Sequence, residues 1–67
     1  MTTGEKIKYH RKKQGLSQKQ LAGESGVSTS VLAYYEKDKA DPSLFAAACI
    51  ADVLGLTLDY LAGREKL

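Results

Sequence analysis

The chain has 67 residues, a formal net charge of +2 and a single cysteine, Cys49; a chain this short is one small domain that buries only about 60% of its unfolded surface. An intramolecular disulfide is excluded, and one Cys with one His cannot complete a four-ligand zinc set, so no metal and no cofactor is expected. No apolar run approaches the roughly 20 residues that span a bilayer, and the lone cysteine without a signal-like N-terminus points to a reducing, cytoplasmic setting with no membrane partner.

Helix signals follow one another along the chain. Thr2-Thr3-Gly4-Glu5 fits a capping box, with Thr2 as N-cap and Glu5 reaching back. The spacing predicts a first helix to about Gln14, stopped by Gly15. Ile7, His10, Arg11 and Gln14 share one unusually polar face of it, and Lys6, Lys8, Lys12 and Lys13 occupy the rest. Ser17-Gln18-Lys19-Gln20 is a second capping box, opening a short helix to about Ser25 with Leu21 and Ala22 inward. Gly23 inside that helix costs about 0.5–1 kcal/mol relative to alanine. Gly26 is a left-handed C-cap, a conformation that carries no Cβ penalty for glycine.

Ser28 caps a third helix through about Glu36, with Leu32 and Tyr35 on one face and Val31 beside them. Residues 37–41 read as a polar loop. Pro42-Ser43 opens a fourth helix to Leu54 with Gly55 as its stop, and its small-residue inner face is expected to be Leu44, Ala47, Ala48, Ala51 and Leu54. Thr57 caps a fifth, short helix with Leu58 and Leu61 inward and Gly63 at its end. Sustained period-2 alternation and hairpin dipeptides are both missing from the sequence, so residues 1–67 are expected to form one all-α domain.

Charge is distributed unevenly along these elements. Residues 1–39 carry eight Lys/Arg against four acids, whereas residues 40–67 carry two against four. A basic half joined to an acidic half suggests that one face meets a polyanion. The second and third helices, joined by a glycine turn over about residues 17–36, form a helix-turn-helix, in which the second helix can enter a DNA major groove while the N-terminus of the first abuts the phosphate backbone. Ser30, Ala33 and Tyr34 share the face opposite Leu32 and Tyr35. Hydroxyls at 29 and 30 can donate to or accept from bases, and the Thr29 methyl matches a thymine methyl. The third helix has no Arg, Asn or Gln, which shifts the expected readout toward water, DNA shape and van der Waals contact.

Residues 4–63 also resemble the phage-repressor (Cro/Xre-like) helix-turn-helix domains. The likeness rests on Ile7, Arg11, Gly15-Leu16-Ser17-Gln18, Leu21-Ala22, Ser25-Gly26-Val27-Ser28, Leu32, Glu36, Lys39, Pro42-Ser43-Leu44, Ile50-Ala51, Leu54-Gly55 and Leu61, taken together at these spacings. It implies a five-helix, lambda-repressor-like fold and a sequence-specific regulator of transcription that binds double-stranded DNA, a repressor acting as a homodimer on a palindromic operator. It assigns base readout to Thr29, Ser30, Ala33 and Tyr34 of a recognition helix over 28–36. Phosphate contacts fall to Gln18, Lys37 and Lys39, with Lys19 adding to them, and Arg11 and Glu36 are matched to an ion pair joining the first helix to the end of the third. Three positions depart from the family pattern. Asp38 stands where glycine is favoured, with its charge toward phosphate; Gly23 interrupts the second helix; and His10 takes an inner position usually held by Leu, as a half-buried core residue.

Phe45, Ala48, Cys49 and Asp52 lie on one side of the fourth helix. An outward Phe45–Cys49 pair, with Leu56, Tyr60 and the tail from Arg64 to residue 67, offers a dimer interface. The alternative is that Phe45 folds under a neighbouring helix. The same face supports a second class of function, an antitoxin-like or other protein-interaction module whose main partner is a toxin, with DNA binding secondary; RNA polymerase is the partner expected of the DNA-binding regulator if it activates. Enzyme chemistry is not expected, since acid/base pair, phosphate loop and metal cluster are all missing, and no small-molecule ligand is indicated.

Overall fold

The computed structural model describes residues 1–64, and among them five helices and no strand are found. The helices are α1 (Thr3–Lys13), α2 (Gln18–Ser25), α3 (Thr29–Glu36), α4 (Leu44–Leu54) and α5 (Leu58–Leu61). Each begins where a hydroxyl side chain accepts a backbone N–H three residues on: Thr2 from Glu5, Ser17 from Gln20, Ser28 from Val31, Ser43 from Ala46 and Thr57 from Tyr60. Two of these are complete capping boxes, in which Glu5 and Gln20 accept from the N–H groups of Thr2 and Ser17. Each such cap stabilises its helix by roughly 1 kcal/mol. Gly26 ends α2 in the left-handed region at φ 76°, and both its N–H and that of Val27 donate to the Ala22 carbonyl.

The core is built from one or two large side chains per helix. Ile7 from α1, Leu21 from α2, Leu32 from α3, Ile50 from α4 and Leu61 from α5 are fully buried. Each contributes on the order of 1.5–3 kcal/mol of transfer free energy. Leu16, Val27, Tyr35, Val53, Leu56 and Leu58 pack around them, half-buried.

Two expectations for α4 need correction. Pro42 lies outside the helix, which starts after the N-cap Ser43. Leu44, expected inward, is 68% exposed, and Ala48 is only half-buried; the inner face is Ala46, Ala47, Ile50, Ala51 and Leu54. Leu44 is the first residue after the cap, at the exposed start of the helix. The 3.6-residue period places Leu44 on the stripe of Ala47 and Ala51, but it does not say how far along the helix the stripe is covered.

α1 buries little apolar surface, since Ile7 is its only large buried hydrophobic residue. Its other buried positions are Gly4 and Arg11. A Cβ at Gly4 would run into the Tyr35 carbonyl oxygen and the Asp38 carboxylate. Glycine therefore lets the first turn of α1 lie directly against the end of α3.

Candidate nucleic-acid interface

The turn at Gly26 aims α3 away from α2 and leaves one side of α3 open. Thr29, Ser30 and Tyr34 are exposed there, Tyr34 by 54%, with Ala33 half-buried among them. Tyr35 is half-buried and packs on the core. Adjacent tyrosines thus divide between solvent and core, as alternate faces of one helix must. Val31 is 38% exposed on the same helix.

The far end of α3 is held by a buried polar cluster. Arg11 of α1 forks onto Glu36, with Nε to Oε2 at 2.6 Å and Nη2 to Oε1 at 3.0 Å. Its remaining arm donates from Nη1 to the Leu16 carbonyl at 2.8 Å. Gln18, the first residue of α2, donates from Nε2 to Glu36 Oε1 at 3.1 Å. The Arg11 and Glu36 side chains are 9% and 2% exposed. One carboxylate thereby fixes α3 against both α1 and the start of α2, and the bidentate geometry sets an angle as well as a distance. Gln18 still has one amide hydrogen to donate to solvent or to a phosphate, and a carbonyl oxygen to accept from solvent.

Lys19, Lys37 and Lys39 are exposed. Asp38 between the last two does not face outward as expected from its charge. Its carboxylate turns back to α1 and accepts hydrogen bonds from the Gly4 N–H and the Thr2 hydroxyl. Gly4 and Asp38 are thus structural partners that sequence reasoning did not connect. The available signal was a glycine inside the first turn of an otherwise sound helix, a mark of close backbone approach.

The residues expected at a dimer contact fall on several surfaces. Phe45 is 79% exposed. Cys49 and Leu56 line one shallow groove with Asp52, while Leu56 and Tyr60 line another with His10. Tyr60 also pins α5 to α1: its hydroxyl pairs with His10 Nε2 at 3.0 Å, and its carbonyl accepts from Lys6 Nζ at 2.8 Å. Arg64 contacts Asp59 at 3.2 Å on the surface and borders a third groove with Leu44. The tail residues 65–67 lie outside the described residues. Among the described residues there is no group of three metal-ligating side chains, and no helix is long and apolar enough to cross a membrane.

The helix-turn-helix family model matches residues 7–61. The chain is 40% identical over all 67 residues to the immunity repressor protein of Bacillus phage phi105, of which it covers 46%. The chain spans about half the length of the first curated relatives it matches. Its backbone superposes on the P22 c2 repressor protein in complex with a synthetic operator with a TM-score of 0.91 at 26% identity, covering 97% of this chain and 98% of that one. It is similar too to SinR of Bacillus subtilis, the master regulator for biofilm formation, in complex with DNA (TM-score 0.84, 31% identity, 90% of this chain and 97% of that one).

Proposed function

This chain belongs to the helix-turn-helix family of the Cro/C1 type, and from that membership we propose that it is a sequence-specific, double-stranded DNA-binding regulator of transcription that acts as a repressor. The carrying observation is the exposed Thr29, Ser30 and Tyr34 surface on a helix whose end is locked by the buried Arg11–Glu36 fork. A base-reading helix must present its side chains at a fixed angle to the groove, and this arrangement provides the angle.

On this reading α3 lies in the major groove. Ser30 and Thr29 reach base edges, Tyr34 contributes a hydroxyl and a flat apolar surface, and the small Ala33 allows close approach. The free N–H groups at the start of α2 and the Gln18 amide meet a phosphate. Lys37 and Lys39 follow the backbone, and each phosphate contact steepens the salt dependence of binding by about one unit. Short hydroxyls discriminate bases less sharply than bidentate Arg or Gln, so DNA shape and bridging water carry much of the specificity. A single such footprint is small. Two copies related by a two-fold axis would read half-sites about 34–36 Å apart. The chain acts by occupancy and not by catalysis. Its relatives, a phage immunity repressor and DNA-bound regulators, support this reading over a purely protein-binding module.

The test is selection of bound duplexes from a random pool at stated salt. Recovery of an enriched palindrome is the expected result. A pool without enrichment, with binding that vanishes near about 150 mM salt, would refute sequence-specific recognition.

A further inference from the structure

Asp38 is the one non-glycine residue with positive φ among the described residues, at 57°. Left-handed geometry disfavours any side chain with a Cβ, although aspartate tolerates it better than most. Both oxygens of the carboxylate that comes with this geometry are engaged. Oδ1 accepts from the Gly4 N–H at 3.0 Å, and Oδ2 accepts from the Thr2 hydroxyl at 2.6 Å. The Gly4 N–H belongs to the first turn of α1, where backbone donors have no partner within the helix. The positive end of the helix dipole faces the carboxylate at the same place. Thr2 Oγ1 accepts from the Glu5 N–H while donating to Asp38, so one hydroxyl both caps α1 and ties it to the loop. The approach is open only because Gly4 lacks a side chain.

The other side of Asp38 faces the recognition helix. Its N–H donates to the Tyr35 carbonyl at 3.1 Å, and the Lys39 N–H donates to the Tyr34 carbonyl at 3.0 Å. The segment bearing Lys37 and Lys39 therefore leaves α3 in a set direction and is tied to α1 by a single side chain. We infer that Asp38 is a positioning residue for DNA binding: by clasping the N-terminus of α1 it holds Lys37 and Lys39 toward the phosphate backbone and keeps its own negative charge away from it. The inference rests on the DNA-binding reading above. It adds a second tether at the end of α3, two residues beyond Glu36 of the Arg11–Glu36 fork.

The test compares wild type with Asp38→Gly and Asp38→Asn. Glycine adopts the same φ freely but loses both hydrogen bonds. Asparagine is nearly isosteric; its oxygen can accept from Gly4 N–H and its amide can donate to Thr2 Oγ1, without the charge. Binding to a labelled duplex recovered by selection, and to one of arbitrary sequence, is measured across a salt series by fluorescence anisotropy, with folding followed by circular dichroism. The expected result is that D38G binds both duplexes about tenfold more weakly at 100 mM salt, with a salt slope smaller by about one unit, whereas D38N stays within about threefold of wild type. The slope is the readout that a purely structural role would not move. D38G binding as tightly as wild type with an unchanged slope overturns the inference. So does tighter binding by both variants, the behaviour of a carboxylate facing phosphate, and so does D38N binding as weakly as D38G. Should D38G be unfolded at the assay temperature, D38N decides alone: wild-type-like affinity and slope support the clasp, and a loss beyond about tenfold overturns it. Wild type without measurable binding overturns the DNA-binding reading itself, whereas wild-type binding that D38G leaves intact overturns only the clasp.

Discussion

Removing Glu36 is the perturbation for which the structure sets the clearest magnitude. Glu36→Ala leaves the Arg11 guanidinium buried with a single remaining acceptor, the Leu16 carbonyl at 2.8 Å. A buried charge stripped of its partner costs about 3–5 kcal/mol. The Gln18 amide loses its acceptor as well, but it lies near the surface and water replaces that bond for roughly 1 kcal/mol or less. A domain of this size has a total stability of roughly 3–10 kcal/mol. The single variant is therefore expected to be largely unfolded or to melt roughly 12–40 °C lower. Replacing both partners by apolar residues, Arg11→Met with Glu36→Leu, removes the desolvation cost along with the attraction, and the double variant should recover most of the loss. Urea unfolding followed by circular dichroism, over the full double-mutant cycle, measures this directly. DNA affinity supplies the second readout: a double variant that folds but binds poorly shows that the fork sets the helix angle. A Glu36→Ala loss below about 1 kcal/mol would refute the buried-pair argument, because an exposed pair contributes that little.

Gly23→Ala should raise stability by about 0.5–1 kcal/mol, because the position is helical and exposed and a Cβ there meets nothing; a lower melting temperature would contradict this. Gly4→Ala should lower stability by about 1–3 kcal/mol as the first turn of α1 is forced off the Tyr35 carbonyl, and a neutral effect in urea unfolding would show that α1 yields without cost. Tyr34→Ala combined with Ser30→Ala should leave the circular dichroism melt unchanged and alter the base preference recovered by selection; an identical motif would remove α3 from the readout. Lys39→Ala should weaken binding evenly across sequences and lower the salt slope by about one unit, and an effect confined to one base position would contradict a phosphate role.

Four of the five helix starts, the fourth helix excepted, and the glycine stops were legible in the sequence, and the reason is that they are local. A hydroxyl and the N–H three residues on belong to the same turn, so Thr2-Glu5 and Ser17-Gln20 complete their boxes whatever the remainder of the chain does. The division of Tyr34 from Tyr35 was legible for the same reason, since neighbouring side chains on a helix point to different faces. Leu44 was not, because a hydrophobic period marks a stripe and only packing decides how much of that stripe is covered. The pairing of Tyr60 with His10 and Lys6 was not legible either, because those partners come from the other end of the chain.

Asp38 marks the boundary most clearly. From sequence it was an awkward acid beside two lysines in a loop expected to face phosphate. Its charge is in fact turned inward to a helix terminus 34 residues earlier, through a gap that exists because Gly4 has no side chain. Capping, periodicity and glycine turns act within one or two turns of chain, so the sequence by itself determined the five elements and the face of α3 that is left exposed. Only the tertiary structure decided which polar groups close against each other, because the energy of a charge depends on what lies within a few ångströms of it, and that is set by how the helices pack.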